Sequence, residues 1–82
     1  MRHLVKRSLR LAGHATSIAL EPEFWAVLEG EAARRGVTLA ALVAEQDAAR
    51  TEADQPLASR LRVFALGLSQ ALPGAAPGPH PP

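Results

Sequence analysis

Two short runs of alternating residues, separated by a glycine, constrain this chain most. Leu9 and Leu11 alternate with Ser8 and Arg10, and Thr16, Ile18 and Leu20 alternate with Ser17 and Ala19. A period of two places successive side chains on opposite faces of extended backbone, so each run has one face to bury and one to leave open. Gly13-His14 sits between the runs, and Gly at the first loop position suits a two-residue hairpin turn of the II′ kind. That turn pairs Leu11 with Thr16, Arg10 with Ser17 and Leu9 with Ile18. The apolar residues then share one face. Ser8, Arg10 and Ser17 share the other, with Arg10 beside Ser17 at the ribbon centre. A hairpin over Ser8 to Leu20 is predicted.

Three helices are predicted after it. Glu21-Pro22 opens the first, because proline costs nothing at the first helical position. Phe24, Leu28 and Ala32 form its four-residue stripe, flanked by Trp25 and Val27, and Glu21, Glu23, Glu29 and Glu31 read as a solvated face. Arg34 and Arg35 suit the negative end of the helix dipole, and Gly36 suits a left-handed cap. Thr38 is the N-cap of the second helix, whose inner stripe is Leu39, Leu42 and Val43, with Gln46 a candidate to extend it. A capping box is incomplete, since Ala41 stands where Glu or Gln belongs. Asp54-Gln55-Pro56 punctuates the chain before a third helix over Leu57 to Leu72, with Leu57, Leu61, Ala65, Leu68 and Leu72 on one stripe and Phe64 beside it. Five of the seven prolines fall in Pro73 to Pro82, which is expected to be a disordered tail. The expected division is 1–52, 53–72 and 73–82.

An 82-residue chain makes one small core, and small chains without staples often gain burial by pairing. No cysteine is present, so thiol chemistry and disulfides are excluded, in keeping with a cytoplasmic setting. No apolar run is long enough to span a membrane. His3, His14 and His80 lack metal-ligand spacing, no nucleophile is flanked by acid and base, and no glycine loop is built for phosphate. Neither enzyme, metal site nor cofactor is expected. Net charge is only +1, but Arg2, Lys6, Arg7 and Arg10 all precede the first acid, Glu21. Such an arm is either a solvated terminus or a phosphate-contacting element.

Ile18-Ala19-Leu20-Glu21-Pro22-Glu23-Phe24 followed by Arg35-Gly36-Val37-Thr38-Leu39 resembles the ribbon-helix-helix fold of the Arc and MetJ repressors. Lys6-Arg7-Ser8, Gly13-His14-Ala15-Thr16-Ser17 and Glu21-Pro22-Glu23-Phe24-Trp25 resemble a subgroup of short bacterial proteins with that fold. The resemblance implies a mainly helical α+β domain with an N-terminal hairpin and an extra C-terminal helix. It also implies a homodimer whose paired strands enter the major groove of double-stranded DNA, while the start of the second helix faces phosphate. The expected DNA contacts are Lys6, Arg7, Ser8, Arg10, His14 and Ser17 from the hairpin, on their charge and hydrogen-bonding groups, and, as the resemblance implies, Thr38 and Leu39 from the helix start. The implied dimer core is Ile18, Leu20, Phe24, Leu28, Leu42 and Val43. Of the groove-facing residues Ala15, Ser17 and Ala19, only Ser17 can hydrogen-bond, and the subgroup often carries a basic residue where Ala15 stands.

Two function classes follow. One is a dimeric, sequence-specific DNA-binding regulator. The other is an interaction module, an adaptor or antitoxin-like protein, that binds a protein partner through Leu57 to Leu72. In the first class that helix packs on its own dimer.

Overall fold

The computed structural model describes residues 3–50 and 55–71. The expected disordered tail, Leu72 and the 51–54 connection lie outside them. An antiparallel hairpin, β1 (Val5–Leu11) and β2 (His14–Leu20), leads into α1 (Pro22–Arg35), α2 (Leu39–Ala48) and α3 (Leu57–Ala71). This is the expected α+β ribbon-helix-helix arrangement with an added C-terminal helix.

The hairpin differs from expectation in two ways. β1 begins at Val5, three residues before the predicted start at Ser8. The turn is Ala12-Gly13, so Leu11 pairs with His14, Arg10 with Ala15, Leu9 with Thr16, Ser8 with Ser17 and Arg7 with Ile18. Both turn residues have positive φ, 52° and 87°. That is the signature of a type I′ turn, which matches strand twist and takes Gly at its second position. The register has moved two residues from the expected one. Because side chains alternate with period two, a shift of two leaves every residue on its expected face. Ser8 now stands opposite Ser17, and Arg10 lies one pair nearer the turn.

α1 opens at Pro22 with the Phe24 and Trp25 N–H groups donating to the Glu21 carbonyl at 3.0 and 3.2 Å. It closes on Gly36 at φ 72°, where the N–H of Val37 reaches the Ala32 carbonyl and that of Gly36 the Ala33 carbonyl. This is a Schellman ending, which needs the left-handed residue that glycine supplies. Thr38 then caps α2, its Oγ1 accepting from the Ala41 N–H at 3.0 Å.

One core holds the elements together: Leu11, Ile18 and Leu20 from the hairpin, Trp25, Leu28 and Ala32 from α1, Leu42 and Val43 from α2, and Leu61 and Ala65 from α3. Trp25, not Phe24, is the fully buried aromatic of α1; Phe24 is half-buried. Ile18 and Leu20 are already out of water within one chain, at 4% and 0% exposure. β1 supplies the neighbour that a lone strand would have sought in a second copy. Leu57, Leu61 and Ala65 of the α3 stripe face the chain's own interior, Leu68 lines a cavity against α1, and α3 packs on α1, α2 and β2. Among the described residues, the large apolar side chains that α3 leaves in solvent are Val63 and Leu66.

The acidic face of α1 is not simply solvated. Glu31 is 4% exposed and is held by Arg34 Nη2 at 2.7 Å and by Arg35 Nε at 2.5 Å. Arg35 continues to Glu45 at 2.8 Å. Glu21 accepts from Arg62 of α3 at 2.9 Å, and Glu29 pairs with Arg7 of β1. The i,i+3 and i,i+4 spacing of Glu31 with Arg34 and Arg35 is legible in the sequence. The long-range pairs to Arg7 and Arg62 are not.

Candidate nucleic-acid interface

The hairpin sorts its polar residues by parity. Lys6, Ser8 and Arg10 of β1 and Ala15, Ser17 and Ala19 of β2 form its outer face, in the cross-strand pairs Lys6–Ala19, Ser8–Ser17 and Arg10–Ala15. All are exposed except Ala19, which is half-buried. At the centre the two serine hydroxyls lie 3.3 Å apart. Arg10 Nη1 donates to the Gly13 carbonyl at 3.3 Å, and Lys6 has no ion pair among the described residues. Neither strand carries an acid.

Arg7 belongs to the other face. Its odd position turns it toward α1, where it pairs with Glu29 and lies over the Trp25 ring. Its charge is spent inside the chain, so it stands apart from Lys6 and Arg10 although the three lie close in sequence. His14 is exposed at the turn, opposite Leu11. It shares parity with the inward residues and so lies off the Lys6–Arg10 face.

Thr38 and Leu39 lie at the start of α2, which packs against β1. The Thr38 hydroxyl takes the Ala41 N–H and its carbonyl takes the Leu42 N–H. The N–H groups of Leu39 and Ala40, on the first helical turn, then carry the positive end of the dipole. No acid lies in that turn to compete with an anion. Leu39 itself is half-buried against the core, so its contribution to any ligand is its backbone.

Sequence reasoning did not find what anchors this surface. Trp25 Nε1 donates to the Val5 carbonyl at 2.8 Å, fastening β1 to α1. A tryptophan at a helical core spacing gives no sign of which backbone carbonyl it will meet.

Among the described residues no group of three or more His, Asp or Glu side chains could hold a metal, and no helix is long and apolar enough to cross a membrane. A cavity of about 350 Å³ between α1 and α3 is lined by Val27, Gly30, Arg34 and Leu68 among others, with no residue from the hairpin.

Among solved structures, the chain is similar to an uncharacterized protein from Bordetella pertussis Tohama I. The two share 37% identity with a TM-score of 0.67, over 92% of this chain and 67% of that one. No curated protein sequence matches significantly. The family model for the ribbon-helix-helix domain matches residues 4–68, and the chain belongs to that family.

Proposed function

We propose that this protein is a DNA-binding transcriptional regulator that acts as a homodimer in the bacterial cytoplasm, where its DNA is. Ribbon-helix-helix domains are typically DNA-binding regulators. The observation that carries the reading here is the acid-free outer face of the hairpin, with Lys6 and Arg10 exposed beside Ser8 and Ser17. The start of α2, a helix that packs on β1, adds a second anion-attracting element.

The dimer joins two β2 strands. β1 carries Lys6, Arg7 and Arg10, and charged side chains are what guard a strand edge from pairing. β2 reads HATSIAL, with no Asp, Glu, Lys or Arg, so its free edge is the one open to a second copy. Two-fold pairing of identical strands closes it.

A gel mobility-shift titration of purified protein on duplex DNA tests the reading. A shift that disappears as salt rises is the expected result. Absence of a shift at low salt would move the protein to the second reading, an interaction module, which the alanines at 15 and 19 favour.

A further inference from the structure

We infer that this protein grips duplex DNA as a phosphate clamp: Lys6 and Arg10 of the two outer strands hold the backbones on either rim of the major groove, and the donor-poor β2 strands lie over its floor. The inference rests on the dimeric DNA-binding reading above and specifies what that surface recognises.

The first step is strand order. The hairpin is a two-stranded sheet in each chain, so joining β2 edges gives β1-β2-β2′-β1′, four strands in one sheet. The second step is width. Neighbouring strands lie about 4.8 Å apart, so three spacings separate the two β1 axes by about 14 Å. A major groove is about 12 Å wide and admits a two-stranded ribbon. The central pair fits between the rims, and the outer strands lie over the rims themselves.

The third step is what each strand presents. On the outer face β1 offers Lys6, Ser8 and Arg10, and β2 offers Ala15, Ser17 and Ala19. Cations therefore stand where the phosphates are, and methyl groups stand where the base edges are. Small side chains at Ala15 and Ala19 let the central strands approach without probing the bases. Ser17 is the one side chain of β2 on that face with a hydrogen-bonding group, and its hydroxyl is shared with Ser8 at 3.3 Å. Arg7, bound to Glu29 on the opposite face, takes no part. Phosphate contacts set position and affinity but carry no sequence directly. This dimer then owes what selectivity it has chiefly to the shape and deformability of the duplex.

The experiment is a set of binding titrations over a range of salt, on a duplex selected from a random pool and on a scrambled duplex. The proteins are wild type, Lys6→Ala, Arg10→Ala, Arg10→Lys and Ser17→Ala. All four substitutions are at exposed positions, and circular dichroism checks each fold. Each alanine at Lys6 or Arg10 removes one phosphate contact per chain, so the log–log salt slope should flatten by about 1.8 in the dimer. A fourfold rise in salt should then weaken each variant about tenfold less than it weakens wild type. Both duplexes should lose affinity by the same factor, and Arg10→Lys should restore affinity and slope, because a phosphate accepts a point charge. Ser17→Ala should leave the slope unchanged. If Arg10→Ala erases the preference for the selected duplex and Arg10→Lys fails to restore it, Arg10 reads a base edge and the clamp is wrong. If DNA is bound but neither alanine changes the slope, the clamp is wrong and the DNA-binding reading stands. If wild type binds neither duplex at low salt, both fall together.

Discussion

The guanidinium of Arg7 lies over the indole of Trp25, 4.9 Å from the ring centroid. The same indole donates from Nε1 to the Val5 carbonyl at 2.8 Å, and Arg7 also pairs with Glu29. Three interactions thus join β1 to α1, and all pass through or beside one tryptophan. They hold in place the strand whose other face carries Lys6 and Arg10.

Trp25→Phe keeps an aromatic in the core but removes the N–H and weakens the cation–π contact. The expected loss of stability is about 2–4 kcal/mol, from one part-buried hydrogen bond, one such contact and the space that the smaller ring leaves in the core. Denaturant unfolding followed by circular dichroism measures it. An unchanged midpoint would mean that the indole N–H and the cation–π contact add nothing to the attachment of β1.

Glu31 gives the fold an acid limit. Hydrogen bonds from Arg34 and Arg35 hold its carboxyl at about 2, against an ordinary 4.5, despite burial pushing the other way. The unfolded chain takes up that proton near 4.5 and the folded chain only near 2. The contribution is therefore complete above pH 4.5 and is lost as pH falls toward 2. Glu31→Gln should be less stable than wild type at neutral pH, and the gap between them should close across that window. Melting temperatures of both proteins at a series of pH values check this, and a gap that does not change with pH would contradict it.

Ala12 sits in the left-handed region at φ 52°, where a Cβ is unfavourable. Asn tolerates that region and precedes Gly in the best I′ turns. Ala12→Asn should stabilise the protein by about 0.5–1 kcal/mol, a rise of a few degrees in melting temperature. In a turn centred on Gly13-His14 the same change would do nothing, so the melt also reports the register.

The proposed dimer edge has its own test. In a two-residue hairpin the closing pair is hydrogen-bonded, and bonded and non-bonded pairs then alternate. His14, Thr16, Ile18 and Leu20 therefore bond to β1, and Ala15, Ser17 and Ala19 direct their N–H groups to the free edge. Ser17→Pro deletes one outward donor without touching the ladder inside the chain, and proline is tolerated at strand edges. Sedimentation at micromolar concentration should show wild type as a dimer and this variant as a folded monomer. A wild-type monomer would remove the β2–β2′ pairing.

Much of this protein is decided locally. The face of each hairpin residue follows from parity, which no two-residue slip can change, so Ser8, Arg10 and Ser17 are legible as one surface from the order of residues alone, whereas Lys6 joins them only because β1 reaches back to Val5. Pro22, Gly36 and Thr38 mark helix ends because their backbone chemistry fits few other places. Register is beyond local reading: the II′ and I′ turns both accommodate Gly13, and the observed register is the one in which β1 reaches back to pair Val5 with Leu20. Partnership is beyond it too. Whether Arg7 reaches outward or folds onto Trp25, and whether Ile18 is covered by its own β1 or by a second chain, depends on elements far apart in sequence meeting in one core. Side-chain alternation is a property of neighbouring residues. The distance from Arg7 to Trp25, like that from Glu21 to Arg62, exists only once the chain has closed on itself.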